Sequence, residues 1–376
     1  MDKALSGVRV LSFGQVGAGP TCTRILADMG AEVIKIEPLW GERLRFSPPL
    51  IQGESPHFSY NNRNKKGMTL NLKSEKGINI FKELVKHGDV VFENYSAGTM
   101  DRLGVGYDVL KEINPSIIYA TITGFGYTGP NSRWRSFDIV AQAMSGLMTL
   151  TGNSAEVNRP VRVPDFLGDQ IPAAYAAIAV LAALYYRKLT GKGQRIDVAQ
   201  LDVMFAVVTS NAGYLATGMT REEARKKHGV TGLYDPVQAK DGYVVIAASG
   251  DMFDRLAKAI DIESPDVEAV KRWVKDKTVD EVVKRLVEAR VAVAPVLTVN
   301  NVVTHPQIIA REMVTEVDHS KIGKIKMPAF PIKFSETPGR VEMPGPLLGQ
   351  HNEEILSSLL GYSKEEIAKL KEEGVI

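Results

Sequence analysis

Residues 8–37 read VRVLSFGQVGAGPTCTRILADMGAEVIKIE. Val8 to Phe13 is a short β-rich run, and Gly14 to Pro20 is a turn rich in glycine. Thr21 to Met29 carries a helical apolar pattern, and Gly30 is a plausible stop for it. Ala31 to Glu37 alternates, which is the period of a strand. Strand, turn, helix and strand in that order make a βαβ unit, so the two strands are expected to lie parallel in one sheet.

More units follow outward from this one. KGMTLNL (66–72) is strand-like, and Ser74 opens a capped amphipathic helix that ends at Gly88. DVVFENY (89–95) is another strand, MDRLG and YDVLKEIN are helical, and SIIYATITGFG (116–126) is a strand running into a glycine turn. The alternation predicts an α/β domain with a mostly parallel sheet. A helix is expected over Asp138–Leu150. A loop with Gly152, Pro160 and Pro164 then leads to Gly168-Asp169 and an Ala-rich helix. GKGQRIDVAQLDVMF (191–205) reads as turn, strand and helix. Residues 215–235 are charged and punctuated by glycine, as a linker or crossing segment would be. Tyr243 and its neighbours (241–249) start a second block, with helices expected near 251–260 and 278–290. After about residue 320 the chain is Pro-rich and extended until a charged amphipathic helix at Ser363–Glu373.

The chain has 376 residues, with Lys+Arg 46 against Asp+Glu 44 and a net charge of +2. That balance argues against a general nucleic-acid or membrane-surface binder. Charged residues at 24% and hydrophobic residues at 44% fit a soluble globular protein. The single cysteine, Cys22, cannot form an intrachain disulfide or a thiolate cluster. No metal site, signal peptide or membrane span is therefore expected, and the expected compartment is the cytoplasm. Ile171 to Tyr186 is apolar throughout, but it falls short of the roughly 20 residues a bilayer needs and is dominated by Ala. It is expected to be a buried helix.

The turn Gly14-x-x-Gly17-x-Gly19, with Glu37 at the end of the next strand, invites a dinucleotide reading. The order is not G-x-G-x-x-G, however, and Pro20 removes one N–H donor. A plain tight turn or another phosphate ligand stays open. No P-loop, G-x-S-x-G or H-E-x-x-H is present. The six histidines are scattered, and the charged run Arg221–Lys227 reads as a solvated face.

Val163 to Pro172, VPDFLGDQIP, is more informative. Asp169 falls at the cap or first turn of the Ala-rich helix. Plain capping is one reading. The other uses the same geometry: the helix end keeps the carboxylate ionised, Gly168 admits a ligand, and the apolar flank desolvates the oxygen. Such a carboxylate can attack an acyl group.

Taken together, these blocks resemble the class III CoA-transferase family (the CaiB/BaiF, formyl-CoA-transferase-like group). The resemblance runs through 5–37, NRNKKGMTLNLK (62–73), VVFENYSAGTMDRLG (90–104), INPSIIYATITGFG (113–126) and FDIVAQAMSG (137–146). It continues through Gly168-Asp169, AALYYRKLTGKGQRIDVAQLD (182–202) and 293–313, then PAFPIKFSETPG (328–339) and GPLLGQHNEEIL (345–356).

The resemblance implies a Rossmann-like large domain, a smaller α/β domain and an interlocked homodimer. The large domain would comprise 1–220, completed by 326–376, and the small domain 221–325. It implies an enzyme that moves CoA from an acyl-CoA to a small carboxylic acid, with CoA thioesters as substrates and no tightly bound cofactor. Asp169 would be the nucleophile, forming a mixed anhydride and then an aspartyl-CoA thioester. CoA-lining positions would be Gln15, Val16, Gly17, Ala18, Leu70, Asn71, Leu72, Lys73, Asn94, Tyr95, Ser96, Arg102, Arg135, Phe137 and Asp138. Pro38 departs from the basic residue some relatives carry on the adenine side, where Arg43 or Arg45 could substitute. The long glycine loop of formyl-CoA:oxalate enzymes is absent, with only Gly229 and Gly232 in that region. A 2-methylacyl-CoA racemase is the nearest alternative, but Phe137 stands where its histidine would fall. A non-catalytic CoA-binding protein is the other alternative.

Overall fold

The computed structural model describes residues 3–152, 159–229, 232–263 and 266–376. The chain divides into two compact units, Met1–Asn211 with Glu312–Ile376, and Ala212–Arg311.

The first unit is built on six parallel strands: β1 (Arg9–Phe13), β2 (Glu32–Glu37), β3 (Lys65–Thr69), β4 (Val90–Glu93), β5 (Ile118–Thr123) and β6 (Arg195–Ala199). Their spatial order is β3-β2-β1-β4-β5-β6. Both faces of this sheet are covered, as parallel sheets require. Val10, Val33 and Val90 face the helices Ala18–Asp28 and Leu167–Thr190. Leu11, Ile34 and Val91 face the opposite layer, which takes Phe81 and Leu84 together with Ile355, Leu356, Ile367 and Leu370 from the C-terminal helices. The C-terminal segment is stitched to β3: His351 N–H donates to the Gly67 carbonyl, and Thr69 N–H to Asn352 Oδ1.

The Ala-rich helix is buried on one face only. Ala173, Ala176, Ala177, Val180 and Ala183 pack into the core, while Tyr175, Ile178, Tyr185 and Leu189 are exposed. By length and composition it is the one helix among the described residues able to cross a membrane. Its small-residue face lying against the sheet is instead the arrangement of a core helix.

The second unit has an antiparallel sheet of β7 (Gly232–Gln238), β8 (Tyr243–Ser249) and β9 (Ala292–Pro295), in that order. The helices Asp251–Ala259, Val267–Lys275 and Val279–Glu288 bury Phe253, Leu256, Val270, Val274, Val282 and Leu286 in its core. The middle helix was not expected from the sequence.

Both unit boundaries fall earlier than the sequence suggested. The hairpin of β10 (Val314–His319) and β11 (Gly323–Pro328) belongs to the first unit because Val317, Ile325 and Met327 pack with Tyr60 and Val341. The stretch 215–235, read as a linker, holds the end of the helix Thr209–Thr217, the helix Arg221–Lys227 and the start of β7. Thr220 and Glu223 form a capping box, with Glu223 N–H donating to Thr220 Oγ1 and Thr220 N–H to Glu223 Oε2. That T-x-x-E signal was present in the sequence. Residues 230–231, between Gly229 and Gly232, lie outside the described residues.

Candidate active site

The strand order reverses between β1 and β4, and the crevice beyond their carboxyl ends is where open α/β sheets bind ligands. The turn after β1 enters this crevice. Val16 adopts φ 59°, unusual for a β-branched residue, and its N–H donates to Glu42 Oε2 at 2.7 Å. Glu42 is itself paired with Lys35 (2.8 Å), and both side chains are almost completely buried. Lys35 Nζ also donates to the Gly14 carbonyl at 2.8 Å. One buried ion pair therefore grips the turn at Gly14 and at Val16. From β4, Asn94 Oδ1 accepts from Gln15 N–H, and Asn94 Nδ2 donates to the Gln15 carbonyl. Gln15 Nε2 donates to the Tyr95 hydroxyl. A Cβ on Gly19 would stand 2.6 Å from Gly14 Cα, so this packing admits only glycine there.

Asp169 is the third residue of the helix Leu167–Thr190, within the first turn rather than at the cap, which is Phe166. Gly168 N–H donates to Asp138 Oδ1 at 2.6 Å, and a Cβ on Gly168 would collide with the Asp138 carbonyl. Asp169 Oδ1 accepts from Gln200 Nε2 at 2.5 Å. Asp169 Oδ2 lies so close to Gly17 that a Cβ there would be 2.0 Å away. Burial pushes the Asp169 carboxyl up to about 7, the Asp138 carboxylate adds to the rise, and the Gln200 hydrogen bond opposes it. The expectation of a carboxylate kept ionised by the helix end is thus corrected, because desolvation dominates.

Asp169 and Gln200 open into a cavity of about 860 Å³. The structure gathers most of the expected residues around it: Gln15 to Ala18, Leu70 to Lys73, Asn94 to Ser96, Arg135 and Phe137. Arg102 and Asp138 do not line it. Arg102 is exposed at the end of its helix, donating to Thr99 Oγ1. Asp138 is buried behind Asp169, where it also accepts from Gln142. Of the two arginines considered for the adenine side, Arg43 lines the cavity. Arg45 is committed to Glu37 through two hydrogen bonds and lies over the Phe58 ring. Glu37 also accepts from Glu42 N–H, so the acid of a dinucleotide reading is already occupied.

Gln200 was missed as a site residue. It is the first residue of the helix Gln200–Val207, directly after β6, at the carboxyl edge of the sheet. That position rule was available from the strand-then-helix reading of RIDVAQLD. Trp40 and Trp134 also line the cavity and were not expected there. No group of residues suited to a metal ion occurs among the described residues.

Residues 5–352 match the sequence model of CoA-transferase family III. A human succinyl-CoA:glutarate CoA-transferase is 36% identical, over 100% of this chain and 90% of its own length. A succinyl-CoA:mesaconate CoA-transferase of Haloarcula hispanica is 36% identical, over 94% of this chain and 96% of its own. The crystal structure of a CaiB/BaiF family protein from Brucella suis is similar with a TM-score of 0.82. It is 30% identical, covering 96% of this chain and 100% of that one.

Proposed function

This chain belongs to CoA-transferase family III, and from that premise we propose that it moves CoA from an acyl-CoA to a free carboxylic acid through covalent intermediates on Asp169. The observation that carries the reading is the placement of Asp169 Oδ2. It is an oxygen of a buried carboxylate, brought against a residue with no side chain, in the lining of a cavity large enough for a substrate.

The chemistry follows from that placement. Oδ2 attacks the donor thioester carbonyl, the new O–C bond forms, and the C–S bond breaks to release CoA thiolate. The thiolate then attacks Cγ of Asp169, and the Cγ–Oδ2 bond breaks to free the donor acid. The acceptor carboxylate repeats both steps in reverse. Each acyl link is exchanged for another, so the energy of the thioester is conserved. Burial favours this exchange by excluding the water that would hydrolyse either intermediate. Arg43, Lys73 and Arg135 line the cavity and supply cations suited to the phosphates of CoA. Both relatives described above carry succinyl-CoA in their names, so succinyl-CoA is the first donor to try, with dicarboxylic acids as acceptors.

Incubation with acyl-CoA alone tests this. The expected result is a CoA adduct on the peptide containing Asp169, absent in Asp169→Ala. Transfer at the wild-type rate by Asp169→Ala would remove the basis of the proposal. The exposed apolar face of the helix Leu167–Thr190 supports the further reading that the working form is a homodimer. A monomer that is fully active at assay concentration, by light scattering, would refute that part. The single buried cysteine is compatible with the cytoplasmic setting we assign.

A further inference from the structure

We infer that Gln200 is a catalytic residue: its amide holds Oδ1 of Asp169, leaves Oδ2 as the attacking oxygen, and donates to the aspartyl carbonyl oxygen when CoA attacks it. This rests on the reading of Asp169 as the nucleophile.

The placement of Gln200 follows from the sequence of the nucleophile's own helix. In a regular helix the N–H of residue 172 would donate to the carbonyl of residue 168. Residue 172 is Pro, which has no N–H. The Gly168 carbonyl is therefore left without its helical donor, and it accepts from Gln200 Nε2 at 3.1 Å. The same nitrogen donates to Asp169 Oδ1 at 2.5 Å. An amide nitrogen carries two hydrogens, so one group serves both acceptors. Gln200 is buried and lines the cavity, and it reaches Asp169 from a separate helix.

The two carboxylate oxygens thus differ. Oδ1 is tied to the amide. Oδ2 faces Gly17, where no side chain intervenes. Attack through Oδ2 makes it the bridging oxygen of the anhydride and leaves Oδ1 as the aspartyl carbonyl oxygen. When the thiolate adds to Cγ, the S–Cγ bond forms and the carbonyl electron pair moves onto Oδ1. Gln200 already points a hydrogen there. The pair returns as the Cγ–Oδ2 bond breaks and the donor carboxylate leaves with Oδ2. A neutral amide suits both stages. It stabilises charge on Oδ1 without forming a salt bridge that would quench the nucleophile. The charged Asp138, on the helix Asp138–Met144, opposes ionisation of Asp169, whereas the neutral Gln200 amide favours it by hydrogen bonding.

Rapid-quench mass spectrometry of the full chain tests the assignment, with a panel of acyl-CoA donors headed by succinyl-CoA. Wild type, Gln200→Leu and Gln200→Glu are compared. Both substitutions keep about the same side-chain volume, and Glu covers the case in which Leu fails to fold. Adduct formation on Asp169 is expected to slow by about 100-fold in each variant, the scale of losing one oxyanion donor. Donor binding is expected to stay within about threefold, because the lost contact strengthens only in the transition state. In Gln200→Leu, the acid limb of adduct formation moves to higher pH, a change that a merely structural role would not produce. Variants that fold, react at the wild-type rate and keep the same acid limb would overturn the role of Gln200 while leaving Asp169 as nucleophile. A wild-type protein that forms no adduct on Asp169 with any donor would overturn the nucleophile itself, and this inference with it.

Discussion

Gly17 and Asp169 share one space: the carboxylate Oδ2 sits where a side chain on residue 17 would begin, 2.0 Å from the position of its Cβ. The two residues come from different βα units, and the tight packing of the Gly14–Gly19 turn makes their approach possible. The carboxylate is therefore aimed by the absence of an atom as much as by the presence of its partners.

Gly17→Ala should push the Asp169 carboxylate off its aim. Cβ would also lie 2.9 Å from Asp169 Cγ and 3.2 Å from its Cβ, so a small rotation of the carboxylate does not clear it. Misplacement of a reacting group by about 1 Å can cost on the order of 100-fold in rate. The expected outcome is a fall of that size in kcat, with CoA binding by calorimetry changed by no more than a few fold. Unchanged kcat would show that the reacting oxygen does not lie against residue 17.

The rate should depend on the ionisation of Asp169. Its carboxyl is raised by burial to about 7, and in the proposed mechanism only the carboxylate attacks. The value of kcat/KM is expected to climb with pH and level off above about 7. Stability runs the opposite way. A carboxyl with a folded pKa above its unfolded value holds its proton more tightly in the native state. Its contribution to stability is fully present below 3.8, the ordinary value, and is lost as pH rises through about 7. Asp169→Asn removes that loss. The variant should be inactive yet more stable than wild type at pH 8, by roughly 2–4 kcal/mol, with the advantage vanishing near pH 4. Urea unfolding at both pH values measures it.

The place of Asp169 was legible because a Gly-Asp step runs straight into an Ala-rich apolar segment, a local pattern. Its environment was not. The contact with Gln200 spans 31 residues and depends on how the end of β6 meets the start of another helix. Lys35 shows a second kind of blindness. AEVIKIE reads only as a strand, with no role given to its lysine, and a parallel sheet covered on both faces has no outward side. Lys35 is 1% exposed and points into the turn it supports. Arg102 shows the reverse: it sits in a matching block, yet its side chain faces solvent.

The Lys35–Glu42 pair should matter to both fold and rate. Removing one partner strands a buried charge, which typically costs about 3–5 kcal/mol. Lys35→Met is expected to lose stability on that scale by denaturant unfolding. Combining it with Glu42→Gln should cost less than the sum of the two single changes, because the charges are coupled. The amide introduced by Glu42→Gln retains an oxygen able to accept from Val16 N–H, so the double variant should recover part of the activity lost in Lys35→Met. Additive losses in stability and no recovery would show that the pair does not act as a unit on the turn.

The last prediction separates transfer from racemisation. Epimerising a 2-methylacyl-CoA requires a base that removes the α-proton and an acid that returns it on the other face. Among the cavity-lining residues there is no histidine, and Phe137, where the resemblance would put the racemase base, lines the cavity with a side chain that cannot carry a proton. Asp169 is turned toward Gly17 by its bond to Gln200, an aim suited to a carbonyl carbon beside the turn. Within the acyl-CoA, transfer breaks a bond only at that carbon and leaves the α-hydrogen in place. In heavy water, with a 2-methylacyl-CoA and no acceptor acid, the protein should therefore add no deuterium at the α-carbon beyond the uncatalysed background. With a labelled carboxylic acid present, label should enter the thioester pool at a rate that depends on Asp169. Rapid α-deuteration without acid-dependent exchange would assign the carboxylate to proton transfer rather than to acyl attack.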